Sequence, residues 1–323
     1  MNFLITGGAG YIGSHMVHYL NDLNYDITVI DNLSSGNKKL LPKNVRVLKM
    51  SVGNQKEIIE TLEKHNFDAA IHFAASVVVP ESVKNPLKYY INNTNETISF
   101  IDTCVKLKIK KFIFSSTAAV YGNPSEKVIT EDINLRPESP YGMSKLMSEN
   151  VLRDVGKSHD FSYIILRYFN VAGADPKGRT GQISQPASHL IRIATEAALN
   201  KRSLVPIYGT DYKTFDGTCI RDYIHVYDLI KAHLNAIEFL NDTRQSGIFN
   251  CGYGKGFSVK EVIETVKKIS NNNFNVEFKK RRNGDPEALI ANNEKIRKIL
   301  GWVPEYDSLE RIITDSINWE AKI

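Results

Sequence analysis

The segment Thr6-Gly7-Gly8-Ala9-Gly10-Tyr11-Ile12-Gly13 constrains this chain more than any other, because it follows an apolar run at residues 3–6 without a break and opens an amphipathic stretch. Glycines so spaced allow a tight turn, let backbone approach a pyrophosphate, and let the next helix pack closely on the strand. The unpaired N–H groups at the helix start then face the diphosphate. Asp31 ends the next apolar run about 20 residues on, where a carboxylate accepts hydrogen bonds from the adenosine ribose and repels a 2′-phosphate. NAD rather than NADP is therefore the expected dinucleotide. The glycines alone could be a turn without a ligand; strand before, helix after and acid in register together favour the cofactor. His15 and His18 stand at i and i+3 on this helix, but no carboxylate lies nearby, so they read as packing residues and no metal is expected.

Short apolar, β-branched runs recur at residues 3–6, 27–31, 45–50, 69–74, 111–116 and 163–167, with helix-like stretches between them. That alternation predicts an α/β chain with a Rossmann-type doubly wound parallel sheet, covered on both faces, with ligands at the carboxyl ends of its strands. Pro86 and Ser139-Pro140 open two long helices, each with proline where its missing N–H costs nothing. Beyond Arg167 the rhythm breaks, and loops rich in Gly, Asp and Pro at residues 173–185 and 209–218 indicate a smaller, irregular α/β C-terminal lobe. The expected division is a cofactor domain at 1–170, with a later contribution from about 221–250, and a substrate lobe at 171–220 and 251–323. Acidic residues (36) nearly match basic ones (41), so the net charge of +5 makes no polybasic surface and nucleic acid is not an expected partner. Cys104, Cys219 and Cys251 are far apart and odd in number, which suits a reducing compartment rather than a disulfide framework or zinc site. With no basic leader and no apolar run of about 18 residues, the expectation is a cytoplasmic protein without a membrane partner.

Tyr141-Gly142-Met143-Ser144-Lys145 sets a phenol and an ammonium at i and i+4, one turn apart on one helix face. The chain has 15 tyrosines, and roughly one such pair arises by chance, so its context matters. It follows Phe112-Ile113-Phe114-Ser115-Ser116-Thr117, a buried-strand pattern ending in hydroxyls at the sheet edge where a nicotinamide belongs. A free tyrosine titrates near 10, so a base near neutrality needs about three units of depression, or roughly 4 kcal/mol. Lys145 and a positive nicotinamide ring could jointly supply it. The plain alternative is a helix surface pair.

At this point the chain resembles the extended short-chain dehydrogenase/reductases, and within them the UDP-hexose 4-epimerases, from Met1 to about Trp319. The likeness rests on T-G-G-A-G-Y-I-G (6–13), D-N-L (31–33), H-F-A-A (72–75), S-S-T-A-A-V-Y-G (115–122), S-P-Y-G-M-S-K (139–145), R-Y-F-N (167–170), D-G-T-C-I-R-D-Y-I-H-V-Y-D (216–228) and R-R-N-G-D-P (281–286). It implies a catalytic set of Tyr141, Lys145 and Thr117. Cofactor contacts are implied at Gly7, Gly10, Tyr11, Ile12, Gly13, Asp31, Asn32, Ser35 and Gly36, then at Ser51, Val52, Phe73, Ala74, Ala75, Val77 and Asn92, and at Tyr141, Lys145 and Phe169. For a UDP-sugar it implies Thr117, Tyr141, Asn170, His189, Leu190, Pro206, Tyr208, Arg221, Arg282, Asp285 and Leu289. Arginines suit phosphate, since their forked donors are permanently charged. Of the run Lys279-Lys280-Arg281-Arg282, a solvated edge is expected with Arg282 alone turned inward. Tyr223 and His225 read as strand packing, and Glu81 and Ser82 as loop scaffolding or sugar contacts. A homodimer through helices near 92–106 and 141–157 is also implied.

Related 4,6-dehydratases carry an Asp-Glu pair after the threonine of this strand, and UDP-glucuronate decarboxylases a glutamate; here stand Ala118 and Ala119. Elimination needs a second acid/base pair, so the resemblance narrows to reversible oxidation at C4 of a UDP-hexose (UDP-glucose/UDP-galactose, with UDP-GlcNAc/UDP-GalNAc also open) through a 4-keto intermediate, with NAD bound throughout. Three positions depart from the family's pattern. Ser51 stands where many members have an aspartate for the adenine amino group, Val77 where some have a lysine, and Leu289 where a tyrosine or a small residue sets the hexose pocket. A 4-epimerase of a UDP-uronate or UDP-pentose, and a non-catalytic NAD-sensing regulator, are the alternatives.

Overall fold

The computed structural model describes residues 1–183, 187–282 and 284–323, so Ser184 and Gln185 of the predicted 173–185 loop and Asn283 of the R-R-N-G-D-P segment lie outside the described residues. Its strands are β1 Asn2–Thr6, β2 Asp26–Ile30, β3 Arg46–Leu48, β4 Ala69–His72, β5 Lys111–Thr117, β6 Val128–Ile129, β7 Ser162–Tyr168, β8 Asn170–Ala172, β9 Leu204–Tyr208, β10 Ile220–His225, β11 Gly247–Cys251, β12 Gly256–Ser258, β13 Asn275–Lys279 and β14 Ala288–Ala291. Its helices are α1 Tyr11–Asp22, α2 Gln55–Leu62, α3 Val79–Lys84, α4 Pro86–Tyr89, α5 Glu96–Lys106, α6 Pro140–Ser158, α7 Leu190–Ala198, α8 Val226–Thr243, α9 Val259–Ser270, α10 Glu294–Leu300 and α11 Leu309–Glu320.

Seven strands form one parallel sheet in the order β11-β7-β5-β4-β1-β2-β3. Phe3, Leu4 and Ile5 of β1 are fully buried, as a central strand with helices on both faces requires. The chain runs outward from β1 to β3 and then restarts at β4 on the other side, so the direction of winding reverses between β1 and β4. Ligands of doubly wound sheets sit at such a crevice. The predicted runs all lie in this sheet, and α8 with β11 brings the late chain back to its edge. β10, by contrast, joins the second sheet, β12-β10-β14-β6, with β8 paired to β10, and β13 pairs β9 separately. No helix among the described residues is long and apolar enough to cross a membrane.

The long helices form where proline announced them. Ser139 caps α6 by accepting from the Gly142 N–H at 3.2 Å, with Pro140 in the first turn. The helix opened by Pro86 is interrupted: α4 passes into a π-helical segment, Tyr90–Asn95, before α5. Such π segments recur at functional sites, and this one packs against α6.

Candidate active site

Between β1 and α1 the glycines meet the demands read from the sequence. Gly7 has φ +66°, and a Cβ there would lie 2.6 Å from the Ala74 nitrogen across the crevice; one on Gly13 would lie 2.2 Å from the Gly7 carbonyl oxygen. Gly10 caps α1 without a side chain, and the first turn holds no acid. The helix therefore offers its first N–H groups and positive dipole end to an anion. Asp31 is buried, with Oδ2 accepting from the Ala9 N–H at 2.9 Å and Oδ1 from the Leu33 N–H at 2.8 Å, so it braces the glycine turn from the end of β2. Asn32 and Ser35 lie exposed on the rim beside Gly36, while Ile12 is half-buried. Tyr11 donates its hydroxyl to the Gly173 carbonyl at 2.6 Å, tying this turn to the second half of the chain. His15 and His18 bond the Tyr11 and Leu40 carbonyls. Burial pushes the His15 imidazole down to about 3, which keeps it neutral. Among the described residues no His, Cys, Asp or Glu cluster could hold a metal.

The opposite wall is residues 73–77. Phe73, Ala74 and Ala75 are half-buried, and Val77 is exposed. Beneath them His72 bridges Thr6 Oγ1 at 2.7 Å and Thr97 Oγ1 at 2.9 Å. Asn93, from the π segment, accepts from the Ser76 N–H at 2.7 Å and donates to the Ser76 carbonyl at 2.9 Å and the Ser144 hydroxyl at 3.2 Å. Neighbouring Asn92 donates to Ser76 Oγ at 3.2 Å. This latch joins the wall to the helix that carries Tyr141 and Lys145. Sequence reading singled out Asn92 but not Asn93, whose signal was only a polar pair inside a helical stretch.

Thr117 ends β5 and hydrogen-bonds the Tyr141 hydroxyl. Both ends of the predicted pair are buried, Tyr141 at 8% and Lys145 at 3% exposure. Lys145 donates to the Ser115 carbonyl at 2.9 Å and lies 4.8 Å over the Phe114 ring. Burial raises the Tyr141 phenol above its ordinary value, and the Thr117 hydrogen bond offsets this in part. Burial also draws the Lys145 ammonium down to about 7, against the pull of Glu149. Within the chain alone burial keeps the phenol neutral; the depression expected from the sequence is a joint effect of Lys145 and a positive nicotinamide ring.

Below this helix lies an ion pair that the sequence did not reveal. Arg167 of β7 donates to Glu149 Oε1 at 3.0 Å and Oε2 at 2.6 Å, with both side chains essentially sealed from solvent. Ser116 donates to the same carboxylate at 2.5 Å, and Arg167 reaches Tyr121 at 3.0 Å, which in turn bonds Asn250. The only available signal was Glu149 falling one turn beyond Lys145 on the buried face.

Toward the second lobe, Asn170 at the start of β8 is exposed and hydrogen-bonds Tyr223. Arg221 is buried and donates to Asp285 Oδ1 at 2.6 Å and to the Ile220 carbonyl at 2.8 Å. His189 and Leu190 begin α7, with His189 Nδ1 3.2 Å from Gln182. Pro206 and Tyr208 are half-buried on β9. Leu289 is buried in a cluster with Ala118, Tyr121 and Phe169, adjoining Thr117. Two expectations need correction. Arg282 is exposed rather than turned inward, because its guanidinium lies 3.8 Å over the Tyr208 ring instead of entering a buried pocket. Arg281 lies on the solvated edge as expected, exposed, where it bonds Asp211 and stacks 4.0 Å over Tyr212. Glu81 and Ser82 belong to α3 and not to a loop; Glu81 bonds Lys88 and Tyr89, and Ser82 the Val79 carbonyl. Tyr223 is buried packing on β10, and His225 bonds Asp315 at 3.2 Å.

The sequence profile described as the NAD dependent epimerase/dehydratase family matches residues 3–252. A UDP-glucose 4-epimerase from Azospirillum brasilense is 48% identical over 320 residues, spanning 99% of this chain and 92% of its own length. Among solved structures, UDP-glucose 4-epimerase from Brucella ovis in complex with NAD superposes with a TM-score of 0.95 at 40% identity, over 98% of this chain and 97% of that one. The UDP-Glc/GlcNAc 4-epimerase from Campylobacter jejuni gives a TM-score of 0.87 at 47% identity, over 100% and 99%.

Proposed function

The chain belongs to the NAD dependent epimerase/dehydratase family, and from that premise we propose that it interconverts UDP-glucose and UDP-galactose by inverting C4 with Tyr141 as the base. It is an enzyme of the UDP-glucose 4-epimerase type. The observation that carries the mechanism is the buried Tyr141, hydrogen-bonded to Thr117 at the end of β5, in the sheet whose winding reverses beside the glycine turn.

The residues present fit NAD. Cβ atoms at Gly7 and Gly13 would strike backbone within 2.6 Å and 2.2 Å, α1 begins without a side-chain cap, and Asp31 stands where a ribose would meet it. Gly7, Gly10, Tyr11 to Gly13 and Asp31 to Gly36 are assigned to the pyrophosphate and adenosine end, and Phe73 to Val77, Asn92, Lys145 and Phe169 to the nicotinamide end. Bound there, NAD supplies a hydride acceptor and donor for C4 and a positive charge that offsets the burial of the Tyr141 phenolate. Tyr141 takes the 4-hydroxyl proton and later returns it, and Thr117 orients both the phenol and the carbinol. Lys145, held on the Ser115 carbonyl, fixes the helix turn that presents Tyr141. The 4-keto sugar turns over within the site before its configuration is reset. Arg221 and Arg282 bind diphosphate or base, Asp285 the ribose, and Asn170, His189, Leu190, Pro206, Tyr208 and Leu289 line the remainder.

Residues 1–170 with the return at 226–250 are assigned to the cofactor, and 171–225 with 251–323 to the UDP-sugar, since β10, expected from about 221 in the cofactor part, joins the second sheet. Leu87, Ile91 and Ile98, exposed on α4 through α5, and Met147 on α6 support a homodimer through these helices, which light scattering tests. Three buried thiols, Cys104, Cys219 and Cys251, suit a reducing, cytoplasmic setting. The dual-specificity Campylobacter relative favours one further reading, activity on UDP-N-acetylhexosamines, since leucine at 289 is intermediate in bulk.

The test is an assay of UDP-galactose and UDP-N-acetylgalactosamine side by side, without added NAD, with products separated by chromatography. UDP-glucose should form; no isomerisation of either sugar refutes the reading. Tyr141→Phe should lose about 10²- to 10⁴-fold in turnover while retaining NAD. Unchanged turnover in that variant rejects the base.

A further inference from the structure

The strand ends β1, β2 and β3 lie side by side, with Ile30 opposite Leu48 and the Asp31 N–H donating to the Leu48 carbonyl at 3.1 Å. On the NAD reading above, the pyrophosphate lies at the end of β1 and the ribose at Asp31 on β2. The adenine therefore falls at the turn after β3, residues 50–54. This is the position where the chain has Ser51 in place of an aspartate. A carboxylate is nevertheless present. Glu96, at the start of α5, reaches across so that its Oε2 accepts from Ser51 Oγ at 2.6 Å, and its Cγ lies 3.0 Å from where a Gly53 Cβ would stand. Ser51 Oγ in turn accepts from the Gly53 N–H at 3.2 Å.

Glu96 is half-buried. Among the described residues no cation lies within ion-pair distance of it, and Oε1 accepts no hydrogen bond. The open oxygen of this half-buried carboxylate is free to accept from a ligand, and a neutral N–H serves where no cation is at hand. Beside it the Val52 N–H, with its side chain buried, donates to nothing among the described residues. An open acceptor and an open donor on one turn match the edge of adenine, whose amino group donates and whose N1 accepts. We propose that Glu96, held by Ser51, accepts the adenine amino group of NAD, with the Val52 N–H on N1. The carboxylate has come from a different element, which is why position 51 can be serine. The plainer role of Glu96, an acid in the first turn of α5, concerns helix stability alone.

The experiment separates these roles. Wild type and Glu96→Gln, each checked for folding by circular dichroism, are equilibrated with equimolar NAD and nicotinamide hypoxanthine dinucleotide, and the retained nucleotide is released and quantified by chromatography. Hypoxanthine presents a carbonyl where adenine has its amino group, so the carboxylate should reject it. Wild type should retain NAD over the hypoxanthine form by about tenfold or more, and the glutamine, able to donate, should bring the ratio within about threefold of unity. A ratio unchanged by the substitution overturns the assignment while leaving NAD binding intact. Wild type that retains neither nucleotide overturns the cofactor reading itself, and this assignment with it.

Discussion

Glu149→Gln replaces a sealed carboxylate with an amide of the same shape, leaving the Arg167 guanidinium charged, 1% exposed and without its counter-ion. Breaking a buried pair from one side costs about 3–5 kcal/mol. The entropy of unfolding near 60 °C is about 2.1 cal/mol/K per residue, so a chain of 323 residues unfolds with roughly 0.7 kcal/mol/K. The melting temperature should then fall by about 4–7 °C. Calorimetry measures it directly. Converting both partners, Glu149→Met with Arg167→Met, removes the stranded charge and should recover a large part of that loss, apart from about 1 kcal/mol for the orphaned Ser116 hydroxyl. Because Glu149 also favours the charged form of Lys145, Glu149→Gln should move the alkaline limb of Lys145-dependent properties to lower pH. A single variant that melts within 1 °C of wild type, or a double variant that loses as much as the two singles together, refutes the pair as a coupled unit.

Lys145 titrates at about 7 in the folded chain against 10.5 when unconstrained. Between those values the unfolded chain binds the proton that the folded one has released, so stability should rise with pH across that window, by up to about 1.4 kcal/mol per unit. Urea unfolding of nucleotide-free protein at pH 7 and pH 9 should show this rise, and Lys145→Met should reduce it; equal slopes in the two proteins contradict the burial account. Gly13→Ala places a methyl 2.2 Å from the Gly7 carbonyl oxygen. Since backbone must give way, it should cost about 1–3 kcal/mol and lower the NAD retained on purification; full occupancy by chromatography counts against the close packing of α1 on the turn.

Much of the fold was legible because its signals are local. Apolar runs of sheet length, the glycine turn, and prolines at helix starts depend on neighbours in sequence, and each strand that they predicted lies in the seven-stranded sheet. The Tyr141–Lys145 spacing was likewise readable, since a helix turn fixes it. Residues 220–225 were harder: β10 follows the apolar pattern of a strand, but nothing in that pattern says which sheet it joins.

What only tertiary structure decided are the partnerships across the sheet. Glu149 finds Arg167 because β5 and β7 are adjacent under α6, and Glu96 finds Ser51 because α5 packs beside the turn after β3. Burial decided the charge states too, raising the Tyr141 phenol and lowering the Lys145 ammonium. Sequence determined which chemical groups the chain carries and the local backbone that presents them. Their contacts, and hence their acidity, follow from a sheet order that brings distant segments together and from the exclusion of water there, neither of which is encoded in any short window.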